Sequence, residues 1–301
     1  MQTTTKLLTS PSFTLAAVEP APSGQDQFQK ALGVANKYRS RDGRKALQAI
    51  ATNYIVIGIF IYASEYASSS SLYFISSSKY LIYISACLII ASRLRAFENL
   101  VHEASHYNLF SSREAHYSYQ FLYSFPVLRV LEDYRTSHLI HHQHLGDATK
   151  DPDLIRILEI GLHKANERPL YYILALPFSG YVHYESLTYD ISRLLHLLLL
   201  LSVQNYLLVP FFGVLPILRY WAEVAEHLGM DMASKFGHSR NNLGFGHLWY
   251  MHPHNDGYHA VHHIHSQVPF HQLPEAHAAL MRENEGFRKE AVISRGIGET
   301  F

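Results

Sequence analysis

Residues 138–142 read His-Leu-Ile-His-His, and residues 259–263 repeat the spacing as His-Ala-Val-His-His. A further pair lies upstream in His102-Glu-Ala-Ser-His106. On a helix, positions i, i+3 and i+4 share one face, so each cluster presents two or three imidazoles in one direction. The 301-residue chain holds 21 histidines, and His is not among the common residues of ordinary domains. At that frequency roughly one or two HxxxH pairs arise by accident, but an HxxHH triple only about 0.1 times. Two such triples therefore carry information.

Imidazole is the commonest metal-ligand side chain. The clusters supply eight imidazoles, too many for one ion when a zinc site usually takes four ligands. They suit two metals, each keeping a position open. Zinc has no redox chemistry, so such a pair points towards iron, although imidazole alone does not select it. Cys87 is the only cysteine, which excludes an internal disulfide framework and a thiolate-held zinc or iron–sulfur site. Basic and acidic residues balance at 25 each, so no global field favours nucleic acid.

Mean hydropathy is near zero, so the apolar residues must be located rather than averaged. Residues 1–36 read as a mobile tail without a secretory signal. A basic cluster follows, Lys37, Arg39, Arg41, Arg44 and Lys45, and then Leu47 to Ser64 carries no charge over 18 residues. That is about the length needed to cross a hydrocarbon core. Glu65 and a serine run break it before a second apolar stretch, Leu72 to Ser92, which Arg93 and Arg95 close. Basic residues at both outer ends predict a helical hairpin with both ends in the cytoplasm. Leu170 to Tyr184 is uncharged but short, while Leu194 to Leu218 is uncharged over 25 residues, His196 aside, with Pro210 and Pro216 inside it. An even number of crossings there would bring all three clusters to one membrane face.

The clusters and their flanks resemble the membrane fatty acid desaturase/hydroxylase superfamily over about residues 47–282. The resemblance rests on Phe97 to Phe110 around the first cluster, on the second cluster followed by Asp151-Pro-Asp153, and on Tyr258 to Pro274 around the third. The flavour is that of the bacterial rhizobitoxine-type and hydrocarbon-oxygenase branch. The resemblance implies an all-α, integral-membrane bundle of about four spans with a cytosolic helical cap. The domain would run from 37 to 282, with residues 283–301 as a C-terminal tail. It also implies two iron ions, O₂ as co-substrate and electrons from an external ferredoxin or cytochrome b5-type donor. An acyl or related lipid-like substrate would be desaturated or hydroxylated. The family's extra histidine maps to His227, which gives the ligand set His102, His106, His138, His141, His142, His227, His259, His262 and His263. Glu223 stands where some members place an asparagine that reaches the metal through water.

Metal-bound imidazoles usually donate their second N–H to a carboxylate or carbonyl. Glu226, beside His227, is the preferred partner, and Glu103, Asp153, Asp256 and Glu223 are further candidates; Glu98, Asp133, Asp147 and Asp151 also lie near the clusters. Two rival functions compete. His102 to His106 also satisfies HExxH, with Glu103 as the general base of a membrane zinc metalloprotease, but that leaves both triples unexplained. A non-catalytic metal-storage protein would bind metal without consuming O₂.

Overall fold

The computed structural model describes residues 24–162, 170–184, 206 and 208–300. Its first helix, α1 (Gly24–Ala35), sets Ala31, Val34 and Ala35 on one face and buries them against Ala260, Val261, Leu280 and Phe287. Spacing of i, i+3 and i+4 is what an amphipathic helix needs to dock. The expected tail over 1–36 is thereby corrected for 24–36; residues 1–23 lie outside the described residues.

Asp42 caps the next helix, α2 (Gly43–Ser69), by accepting from the Arg44 and Lys45 amides at 2.9 and 3.4 Å, a contact that contributes about 1 kcal/mol. After a short helical turn the chain returns through α3 (Lys79–Ser105). The two helices run antiparallel: Tyr54 meets Phe97 with ring centroids 4.9 Å apart, and Tyr206 joins Ser64 to Tyr83 at the other end. Both are long and apolar enough to cross a membrane. Ile55, Ile59 and Tyr62 on α2 and Leu81 and Ile84 on α3 are more than half exposed, an apolar surface suited to lipid. Arg93 and Arg95 do not end α3. It continues for ten more residues, buried from Ser92 to Ser105 except at Arg95, so one rod carries both the apolar stretch and His102.

Beyond it come α4 (Leu131–His144), α5 (Pro152–Glu159) and α6 (Leu215–His227). Leu170 to Tyr184 divides into a short helix and a 3-10 turn. Most of the 194–218 run, residues 194–205 and 207, lies outside the described residues, and Val209–Val214 form a π-helical turn leading into α6.

The third histidine cluster is α7 (His259–Ile264), followed by α8 (Leu273–Glu283) and α9 (Glu285–Glu290). The chain is mostly helical, as expected, and carries one small addition to that plan: β1 (Arg240–Asn242) pairs in parallel with β2 (Val292–Ser294). Residues 283–300 are not a tail: Phe287 is fully buried, and Asn284 accepts from its amide at 2.7 Å and donates to the Gln27 carbonyl at 2.7 Å. The strand β1 also holds the loop before α7, since the Asn242 amide donates to the Gly257 carbonyl at 2.7 Å. Gly257 has no room for a side chain, because a Cβ there would lie 2.2 Å from the Asn242 carbonyl oxygen.

Gly257→Ala is therefore expected to lower the thermal unfolding midpoint, whereas Gly33→Ala, which meets no atom within 4 Å, leaves it unchanged or slightly raised. Equal midpoints for the two variants contradict this account. A second expectation concerns pH. Burial pushes His116, His247 and His277 each down to about 4, below the unfolded value near 6.5. His116 Nε2 accepts from the Leu109 and Phe110 amides at 3.1 Å, a role the protonated ring loses. Their contribution is complete above about pH 6.5 and falls away as pH drops towards 4. The thermal midpoint measured between pH 7.5 and pH 5 should decline steadily, and a flat profile counts against it.

Candidate metal centre

The end of α3, the inner face of α4, the last residue of α6 and α7 meet at one place. All nine expected histidines converge there, in two groups. In the first, ring nitrogens of His102, His106, His138, His142 and His262 lie within 4.8 Å of one another. Their Nε2 atoms form a chain of short contacts: His102 to His262 at 2.9 Å, His262 to His142 at 3.0 Å, His142 to His138 at 3.0 Å and His138 to His106 at 2.9 Å. In the second, His141, His227 and His263 cluster within the same limit, and His259 Nε2 lies 3.0 Å from Nε2 of both His227 and His263. Helical spacing explains the division: on α4, His138 and His142 point to the first group and His141 to the second.

These donors fit cations better than they fit each other. A neutral ring nitrogen offers one N–H or one lone pair, yet His262, His142 and His138 each touch two neighbours. A cation at the centre satisfies every lone pair at once. Two nitrogens about 2.1 Å from a common ion and at right angles to it lie about 3.0 Å apart, which matches the observed contacts. The remaining ring nitrogens of His227, His259 and His262 are buried without a hydrogen-bond partner.

Burial keeps the rings in the neutral form that binds metal. It holds His106, His138, His259, His262 and His263 well below 6.5 and brings His142 to about 2 and His227 to about 3. His141 is the exception: burial lowers it, but the bond to Asp151 and the nearby Asp153 charge raise it overall.

The carboxylates separate into distinct roles. His102 Nδ1–H donates to Asp256 at 2.9 Å, as the spacing allowed. Burial opposes ionisation of Asp256, but the His102 bond and charge and then Arg95 bring it down to about 2. His141 Nδ1–H donates to Asp151 at 2.8 Å, with Asp153 at 3.3 Å. Asp151 is also the N-cap of α5 and accepts from the Gly146 amide, so its oxygens are fixed; the Asp-Pro cap signal was visible in the sequence but was not connected to His141. Glu226 approaches His252 at 3.3 Å and His259 at 3.7 Å, and burial followed by the neighbouring Asp256 pushes it up to about 8. Glu103 turns to the Phe270 amide at 2.7 Å, tying α3 to the segment after α7. Glu223 pairs with Arg156 and borders the same cavity as His138, His141 and His227. Sequence reasoning missed Tyr134, one turn before His138, whose ring stacks on it with centroids 5.5 Å apart. It also missed Arg95, 3.4 Å from Asp256.

With this geometry in place, comparison with known proteins is informative. The fatty acid desaturase family matches residues 78–193 and 191–292, a region that includes all nine histidines. A relative, the dihydrorhizobitoxine desaturase of Bradyrhizobium elkanii, is 26% identical over 304 aligned positions, covering 86% of this chain and 84% of that protein. The metalloprotease reading finds no support in either match, and the expected kinship with the rhizobitoxine-type branch does. The chain is a member of the fatty acid desaturase family, a family of oxidoreductases.

Proposed function

We propose that the chain is an O₂-dependent, di-iron membrane enzyme that desaturates or hydroxylates an acyl chain or related lipid-like substrate, with electrons from a separate ferredoxin or cytochrome b5-type donor. The observation that supports this most is the division of nine imidazoles, six buried and three half-buried, into groups of five and four. Bound iron supplies the oxidising power needed to break an unactivated C–H bond. In desaturation, adjacent carbons each lose one hydrogen, together two protons and two electrons; the donor adds two electrons, two further protons enter, and O₂ leaves as two waters. In hydroxylation, one oxygen atom enters the C–H bond and the other leaves as water, again with two electrons from the donor.

The chain's own residues supply position and protonation state. Asp256 and Asp151 take the Nδ1–H of His102 and His141, which leaves each Nε2 lone pair for a metal. Burial keeps the other rings neutral, so ligation does not wait on proton release. Tyr134 covers one face of His138. Where the substrate carbon rests relative to the two groups decides between alkene and alcohol. For the setting, we take α2 and α3 as the first of about four spans, with the histidine clusters and both termini on the cytoplasmic side and α7 to α9 in the cap. The basic residues outside both ends of the hairpin support that orientation.

Protein purified under reducing, anaerobic conditions is expected to hold about two irons per chain, and a preparation with none overturns the reading. His142→Ala should lose iron and abolish new lipid products in expressing cells, read by mass spectrometry. Asp256→Asn should weaken iron binding about 10- to 100-fold, while Glu103→Gln keeps its metal. Topology is tested in sealed vesicles with Cys87→Ser as background. An impermeant maleimide should reach Lys37→Cys and Ser71→Cys from opposite sides; labelling from one side rejects the hairpin.

A further inference from the structure

Two segments flank the helices of the candidate centre without contributing a ligand. The uncharged run 170–184 is too short to cross a hydrocarbon layer: as a continuous helix it would reach about 22 Å, against a core of about 30 Å. Pro177 and the left-handed Gly180 (φ 87°) break it further. Residues 244–251 lie in a region that is polar by composition and end in a π-helical turn, His247–Met251. Both segments turn aromatic rings outward. Tyr171, Phe178, Tyr184 and Phe245 are each about two-thirds exposed or more, and Trp249 is nearly half exposed. Phe245 and Trp249 stack with centroids 6.1 Å apart. Between the segments runs an apolar groove of about 490 Å³, lined by Tyr171, Leu174, Phe178, Trp221, Tyr250 and Met251.

We infer that these two segments form a ledge seated in the bilayer beside α3 without crossing it, with phospholipid acyl chains filling the groove. The inference rests on the membrane setting proposed above. Position supports it first. Tyr250 Oη donates to the Leu88 carbonyl at 3.2 Å, and Ser92 Oγ donates to the Tyr250 carbonyl at 3.0 Å. The turn therefore lies along the last part of the uncharged stretch of α3, where the exposed Leu88 continues the apolar surface of Leu81 and Ile84. The backbone supports it second. A loop in water can leave its carbonyls to solvent, but a loop in hydrocarbon must find donors within the protein. Here the Trp249 carbonyl accepts from Arg93 at 2.5 Å and the Tyr250 carbonyl from Ser92. In the other segment, the Ile173 carbonyl accepts from Tyr220 Oη at 3.0 Å and the Leu174 carbonyl from Trp221 Nε1 at 3.3 Å. Composition supports it third. Trp and Tyr are the side chains of membrane–water boundaries, and the Arg93 guanidinium lies 5.6 Å from the Trp249 ring where the apolar stretch of α3 ends. A protein partner would meet a polar rim around such a patch, whereas no charged side chain lines the groove. No histidine lines it either, so the chains held there are structural lipid rather than substrate.

The chain carries its own probes, because its only two tryptophans are Trp221 in the groove and Trp249 on the loop. The full chain is placed in phosphatidylcholine nanodiscs, with and without bromine on the acyl chains, and each tryptophan is read with the other replaced by Phe. Bromolipid should cut the emission of both roughly twofold or more, and aqueous acrylamide should change it little. Tyr62→Trp, read with both native tryptophans replaced, reports the exposed face of α2. Phe245→Glu, at an outward-facing site, should shift the Trp249 emission to longer wavelength while the thermal midpoint stays unchanged; an unmoved emission overturns the ledge. If bromolipid quenches Tyr62→Trp but spares Trp221 or Trp249, the ledge inference fails and the membrane setting stands. Strong acrylamide quenching of Trp249 in the same discs turns the patch towards a soluble partner and overturns the ledge as well. If none of the three tryptophans responds to bromolipid, the membrane setting itself fails.

Discussion

Asp256 and Asp151 each take the Nδ1–H of one imidazole, His102 and His141, and so turn the opposite nitrogen of that ring inward. Much of the surrounding structure exists to keep those two carboxylates ionised and in place. Asp256 sits against Arg95 on α3, and Asp151 is locked by the amides of Gly146, Asp153 and Leu154. One is braced by charge and the other by backbone. Buried carboxylates without such partners would take up protons and would no longer accept from an imidazole.

The remaining ligands are set by how elements are joined. α4 divides its three histidines between the two groups because, at about 100° per residue, His142 lies about 40° to one side of His138 and His141 about 60° to the other. α7 is a short helix that nothing local would stabilise. It is held by β1, by the close approach at Gly257 and by burial of Ala260 and Val261 beneath α1 and α8. Glu103, adjacent to His102, fastens the segment after α7 to α3 through Phe270. The same residue that gives the first cluster its protease-like spelling therefore has a bracing role.

Much of this was legible from spacing. The histidine triples announced their shared faces because helix periodicity is local, and the uncharged run from Leu47 to Ser64 announced a long apolar helix for the same reason. What escaped depended on contacts between distant parts of the chain. Residues 24–36 and 283–300 look polar and expendable by composition, yet Val34 and Phe287 meet in one core and β2 finds β1 from fifty residues away. Glu226 was favoured over Asp151 on proximity in sequence, but Asp151 reaches His141 only because the turn at Gly146 folds α5 back beside α4. The cavity bordered by Arg95, Arg129, Arg156 and Arg219 was equally invisible, since these arginines come from four separate segments.

The continuity of α3 has a mechanical side. Lys79 and His102 belong to one unbroken helix, and a rotation of roughly 10° about its lipid-side end moves His102 by about 6 Å, far beyond any tolerance of a coordination bond. In the proposed membrane setting, anything that changes the rod's inclination, such as a thicker or thinner hydrocarbon layer, is levered directly onto the ligands. The elements gripping the inner half of α3 thus act as an anchorage that resists such a displacement of the histidine clusters.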